Sequence, residues 1–131
     1  MAIKIFGFKD KEKRLNGKEV FFKYSNAEQF TGSYWIDGKK IYEKTINIGA
    51  LPNNNVKTVS HGINQIDRFI DIAGVASSSS AALPIPNVNP WSLGESIICY
   101  PTTGDIIIGS ASDKSSYTGY ITLRYTKTTD L

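Results

Sequence analysis

The chain holds one imidazole, His61, and one thiol, Cys99. Nucleophilic or general acid–base catalysis needs a nucleophile, a base within hydrogen-bond reach and a group that orients the base. Cys99 closes the apolar run Ile97-Ile98-Cys99, where a thiol lacks the electropositive, partly exposed surroundings that favour a thiolate. His61 follows Thr58-Val59-Ser60 and precedes Gly62, which reads as a strand-end histidine bonded to backbone. Replacing either residue should change stability only modestly. Asp67 and Asp71 fall on one face of an expected strand and read as solvated surface charge. The sequence has no Gly-rich phosphate loop, no His-x-x-x-His pair and no acidic loop with calcium spacing. One Cys with one His also cannot supply an all-Cys/His zinc site. The inventory reads as a non-enzyme with no cofactor and no metal site.

The aromatic residues point to binding. Two tryptophans and seven tyrosines are present, and a flat ring covers the apolar face of a pyranose while neutral amides satisfy its hydroxyls. The candidate ligand contact is Trp91 with Asn87 and Asn89 on a long Pro-rich stretch, joined by the turn Asn53, Asn54 and Asn55. An anionic ligand would instead favour Lys39, Lys40, Lys44 or Lys57. Trp35, beside the Asp37-Gly38 turn, reads as cross-strand packing.

These side chains must be held by strands. Short runs rich in Ile, Val, Tyr, Phe and Thr, bounded by Gly, Pro, Asn, Asp or Ser, predict an all-β sandwich or barrel. The expected strands cover residues 3–8, 19–24, 33–36, 39–48, 57–61, 68–76, 95–100, 105–110 and 117–127. Asp37-Gly38 predicts a type I′ hairpin turn between two of them. Ile121 and Leu123 alternate with polar neighbours and should point into the core. Ile97-Ile98-Cys99 and Ile106-Ile107-Ile108 are unbroken apolar runs, which predict strands covered on both faces, lying centrally or at a subunit contact. Residues 77–90, with four serines and three prolines, read as a surface connection without a strand.

At 131 residues and 40% hydrophobic content the chain makes one domain with a real core. No apolar run approaches the ~18 residues of a membrane-spanning helix, and residues 1–13 lack a secretory h-region. The net charge of +3 is uneven, with seven basic and three acidic residues through Tyr24 against eight and nine beyond it. The leading lysines are interrupted by acids and lack interleaved stacking aromatics, so nucleic acid is not the expected partner. Residues 1–24 read as a basic leader and candidate docking segment, and residues 25–131 as the folded domain.

Several separated motifs resemble one family in order. They are Tyr24-Ser25-Asn26-Ala27-Glu28-Gln29, then Gly32-Ser33-Tyr34-Trp35-Ile36-Asp37-Gly38-Lys39-Lys40-Ile41-Tyr42-Glu43-Lys44-Thr45-Ile46-Asn47. Gly49-Ala50-Leu51-Pro52-Asn53 and Val59-Ser60-His61-Gly62-Ile63 follow, and Tyr117-Thr118-Gly119-Tyr120-Ile121-Thr122-Leu123-Arg124-Tyr125-Thr126-Lys127-Thr128-Thr129-Asp130 closes the series. Together they resemble the head domain of tail-fibre-like and other virion proteins of bacteriophages and prophages. The resemblance implies an antiparallel β-sandwich of jelly-roll-like form, assembled as a homotrimer on the virion. It also implies synthesis in the bacterial host cytoplasm, while the interspersed charge and short apolar runs give the expectation of no membrane insertion. Other virion proteins and a host cell-surface glycan or protein are the implied partners. Ile107, Tyr42 and Ile46 are the candidate subunit contacts. The sequence contains no collagen-like repeat and no heptad shaft, so tail tip, head fibre and capsid decoration all stay open. The two function classes are a host-attachment domain and a purely structural virion protein.

Overall fold

The computed structural model describes residues 23–130, together with the strand backbone at Arg14–Leu15 and Lys18–Glu19. In chain order the strands are β1 (Arg14–Leu15), β2 (Lys18–Glu19), β3 (Gln29–Tyr34), β4 (Lys40–Ala50), β5 (Val56–Ser60), β6 (Ile66–Ser77), β7 (Ala82–Ile85), β8 (Ile97–Pro101), β9 (Asp105–Ser110) and β10 (Thr118–Lys127). A short 3-10 helix, Leu93–Glu95, precedes β8. β1 and β2 pair with each other, a five-stranded sheet runs β3-β4-β10-β6-β7, and a three-stranded sheet runs β5-β9-β8. Every pairing is antiparallel, and the described residues contain no α-helix. The protein is all-β. The expected strand at 3–8 and residues 20–22 of the one at 19–24 lie outside the described residues, and Lys23 and Tyr24 are not in a strand.

The hairpin between β3 and β4 forms, but with a different turn. Gly38 N donates to Trp35 O at 2.9 Å and Trp35 N donates to Lys39 O at 2.8 Å. Gly38 has φ +89°, whereas Asp37 is not among the positive-φ residues. A type I′ turn needs positive φ at both central residues, so this is a type I turn over Ile36-Asp37 closed by a left-handed glycine. Asp37 Oδ1 accepts from Lys39 N at 3.0 Å, which explains the aspartate without a positive φ. The first arm is β3 at Gln29–Tyr34 instead of residues 33–36.

Residues 77–90 are not strand-free. β7 sits within them and pairs with β6, with Pro84 opposite Val75. A proline cannot donate to a ladder, but β7 is the edge strand of its sheet and has a free side for it.

One buried cluster joins the two sheets. Ile46, Ile48, Ala76, Ile121 and Leu123 come from the five-stranded sheet, and Ile97, Cys99, Ile106 and Ile108 from the three-stranded one. Each large member contributes about 1.5–3 kcal/mol of apolar burial. Ile121 and Leu123 point inward as their alternation predicts. Gly74 lets β6 and β10 approach there, since a Cβ on it would lie 2.5 Å from both Ile121 Cδ1 and Tyr120 O. An aromatic row continues this cluster, from Phe30 through Tyr42 and the core residue Tyr125 to Phe69 and the ring of His61. The Tyr125 hydroxyl donates to Glu28 Oε1 at 2.7 Å.

The apolar runs of β8 and β9 are covered on one face only. Ile97, Cys99, Ile106 and Ile108 are buried, while Ile98 is 48% and Tyr100 50% exposed and Ile107 is half-buried. An unbroken apolar run therefore marks here a strand with an uncovered apolar outer side. Of the candidate subunit contacts, Ile107 lies on that outer side, opposite Thr58 and Tyr100. Tyr42 lies half-buried in the aromatic row, and Ile46 is inside the core of the single chain, where its burial needs no neighbour.

Candidate functional site

The loop after β7 is closed at its base. Asn87 N donates to Ile97 O at 2.9 Å, and Ile97 N donates to Asn87 O at 2.7 Å. Trp91 stands on this loop with 93% of its surface exposed. The Asn89 side chain fixes the backbone under it, because Trp91 N donates to Asn89 Oδ1 at 3.0 Å. Ser92 N donates to Asn89 O at 3.2 Å, and Ser92 O accepts from Glu95 N at 3.0 Å to open the 3-10 helix. Thus a polar turn presents a large apolar ring that the rest of the described chain leaves uncovered.

The asparagine turn meets the far side of this loop through residues 111–114. Asn54 N donates to Ser112 O at 2.9 Å, and Ser112 Oγ donates to Gly94 O at 2.7 Å. Lys114 is the tie that the sequence does not advertise. Its backbone N–H donates to Pro52 O, its ammonium pairs with Glu95, and it lies 5.9 Å from the centre of the Tyr117 ring. Asn54 takes φ +46°, a left-handed conformation that asparagine tolerates better than most residues.

Asn54 and Asn55 share a cavity of about 380 Å³ with Ser96 and Ile98. Trp91, Asn87 and Asn89 do not line it. Several amides are also engaged in holding the loops, since Asn89 Oδ1 serves Trp91 N and Asn55 Oδ1 accepts from Val56 N at 2.8 Å. Asn53 pairs through backbone with Asp113. The structure thus gathers the two stretches at one end of the molecule, with Trp91 beside the shared cavity's lining loop and not in it.

The lysines that an anionic ligand would use are mostly committed. Lys39 pairs with Asp67 at 2.9 Å. Lys44 Nζ donates to His61 O at 2.7 Å, and Lys57 Nζ donates to the carbonyls of Ile48 and Ala50 at 2.7 and 2.8 Å. Lys40 lies 5.3 Å from the centre of the Phe30 ring.

His61 and Cys99 have no chemistry to share. Ile63 N donates to His61 Nδ1 at 3.1 Å, so Nε2 carries the proton and donates to Thr102 O at 2.8 Å. Both ring nitrogens are taken by backbone. Burial pushes the Cys99 thiol up to about 11, which leaves it protonated at neutral pH.

A second concave region covers the outer face of the five-stranded sheet. Two cavities of about 720 and 530 Å³ lie there, and both are lined by Asp71 and Arg124. Arg124 Nε donates to Glu43 Oε2 at 2.9 Å. Glu43 is 0% exposed, and its Oε1 has no hydrogen-bond partner. These residues stand on β4, β6 and β10, far apart in sequence; the cross-strand register aligns Glu43, Arg124 and Asp71 in one row.

Among the described residues no group of three or more His, Cys, Asp or Glu could hold a metal ion, and no helix is long and apolar enough to cross a membrane. Comparison with protein-family models, with curated proteins and with solved structures finds no match to this chain.

Proposed function

We propose that this chain is a non-enzymatic attachment domain of a bacteriophage virion, which binds a host cell-surface glycan through the loops around Trp91. The observation that carries the reading is the uncovered indole of Trp91 on a loop closed at its base by Asn87 and Ile97. A large ring held out by a built turn is free to meet a ligand face-on, and rings of this kind stack on sugars. The resemblance of the motifs from Tyr24 onward to phage head domains supplies the virion context, with the basic leader as the link to other virion proteins.

In this reading the five- and three-stranded sheets form a jelly-roll-like β-sandwich, and three copies associate. The strand orders support it. β4 pairs β10 and β5 pairs β9, as the first with the last and the second with the next-to-last strands of a double Greek key do, with the chain crossing between sheets at β4–β5, β5–β6, β7–β8 and β9–β10. A second reading, a structural virion protein without a host ligand, draws on the uncovered apolar side chains of β5 and β8, Val56, Ile98 and Tyr100.

Adsorption of the purified protein to bacterial cells and to cell-wall polysaccharide separates the two readings. Trp91→Ala is expected to lower adsorption at least tenfold with folding and oligomeric mass unchanged. Full adsorption by an intact Trp91→Ala protein removes the loop from the binding site. Loss of oligomeric mass instead assigns Trp91 to assembly.

A further inference from the structure

We propose that the overhanging edge of β4, residues 44–50, is a strand-pairing site for a second copy of this chain, and that the Lys57 ammonium holds it shut. The inference goes beyond the attachment reading and does not rest on it.

The starting observation is a mismatch in strand length. β4 runs over Lys40–Ala50, but β3 pairs with it only from Tyr34 opposite Lys40 to Gln29 opposite Glu43. Past Glu43, β4 has β10 on one side and no described strand on the other. A row of main-chain groups left open in this way is a template for another chain. The ladder shows which groups face the open side. Thr45 N donates to Ser25 O at 2.8 Å, so the segment before β3 covers the start of the overhang. Asn47, two residues on and exposed, presents its backbone to the same side. Further along, Leu51 N donates to Tyr117 O at 2.9 Å, which turns Leu51 toward β10 and, by alternation, turns the carbonyls of Ile48 and Ala50 away from it.

One side chain takes both carbonyls. Lys57 Nζ donates to Ile48 O at 2.7 Å and to Ala50 O at 2.8 Å, reaching across from β5 in the other sheet. The ammonium thus stands where the N–H groups of an incoming strand would lie. Two copies brought edge to edge would also oppose like charges, which disfavours pairing. Gly49 makes room for the contact, since it takes φ +68° and a Cβ on it would lie 3.3 Å from Lys57 Nζ.

The outer edges of the two larger sheets carry protections of their own. β3 has a register shift between Phe30 and Tyr34, β7 holds Pro84, β8 ends on Pro101 and β5 is 5 residues long. Bulged, proline-bearing and short edges all pair poorly. For β4 the protection comes from Lys57. A second copy is the occupant because the edge is complementary to itself: two β4 edges running antiparallel about a two-fold axis offer each other the same donors and acceptors. This contact is separate from the apolar outer side of the three-stranded sheet.

The test compares the full chain with Lys57→Met, which keeps the aliphatic stem and removes the charge and its donors. Light scattering at high micromolar concentration and the infrared band of intermolecular β-sheet are the readouts. Lys57→Met is expected to add mass beyond the wild-type assembly, with scattering that grows at least tenfold faster, while Lys57→Arg behaves as wild type. Ala50→Lys on the Lys57→Met background returns a charge to the exposed end of the same edge and should restore wild-type scattering at the urea midpoint of Lys57→Met. Where Lys57→Met does not fold, Lys57→Gln takes its place in both comparisons. Wild-type mass in Lys57→Met overturns the proposal, and a lowered urea midpoint there makes Lys57 a brace between the sheets. Association that Ala50→Lys leaves unchanged also overturns it, because the added contact then lies elsewhere.

Discussion

Cys99 occupies the second inward position of β8, between the inward Ile97 and the edge of the core. Its thiol should react with iodoacetamide at pH 8 only as fast as the chain unfolds, and rapidly in urea. The folded thiol titrates near 11, above its ordinary range, because burial disfavours the thiolate. Its contribution is therefore intact below the ordinary thiol range and is lost as pH rises from there toward 11, since the unfolded chain ionises first. Urea midpoints of wild type and Cys99→Ser at pH 7 and pH 10 check the sign: the gap between them should narrow at the higher pH. Burial, and then the hydrogen bond to Glu28, raises the Tyr125 phenol in the same direction. His61 is more consequential than its sequence context indicates. His61→Ala strands Ile63 N and Thr102 O in a buried site, so a loss on the order of 2–4 kcal/mol is expected in urea denaturation. The sequence reading of a backbone-bonded histidine holds, but its modest expected effect rested on the lack of a local catalytic partner, and the T-shaped contact with Phe69 at 6.0 Å places the ring inside the aromatic row.

Between strands, the glycines of two turns make a matched comparison. Gly38 has φ +89° and Gly104 no positive φ, and a Cβ on either would meet nothing within 4 Å. Gly38→Ala should cost about 1 kcal/mol through backbone strain alone, whereas Gly104→Ala should be neutral or stabilise by up to about 1 kcal/mol through the unfolded chain. Equal effects in thermal denaturation would contradict the turn geometry. The same hairpin shows how legibility varies. The hairpin at Asp37-Gly38, though not its turn type, and the alternation around Ile121 and Leu123 were readable because turn chemistry and two-residue periodicity are local. β7 was not, because Pro84 looks like a strand breaker until its edge position is known. For β8 and β9 the pattern left two placements open, because a central strand and a strand whose outer side meets another subunit share it. At the sites, the Trp91 loop was visible as a run of Pro and Asn without period. The concave region over the larger sheet was not, since its shared lining residues Arg124 and Asp71 meet only through the register of β10 and β6.

At the scale of the whole molecule the outer side of the three-stranded sheet sets the expected assembly. Val56, Ile98 and Tyr100 are exposed and Ile107 half-buried. The register places Val56 and Ile98 on either side of Gly109, and Thr58 and Tyr100 on either side of Ile107, so the apolar groups form one patch. Such a patch gains by being covered, and a closed symmetric oligomer covers it without leaving a growing edge. Ile107→Glu places a carboxylate at its centre, where the single chain leaves it hydrated and a subunit contact would bury it unpaired. The expected outcome is a folded monomer: light scattering falls from the trimer mass to one chain while the circular dichroism and the urea midpoint of the monomer persist. Ile108→Glu, one residue on and 0% exposed, should instead abolish folding, because that side chain points into the shared core. A wild-type monomer at high micromolar concentration rejects the trimer. A trimer retained by Ile107→Glu moves the contact off this sheet.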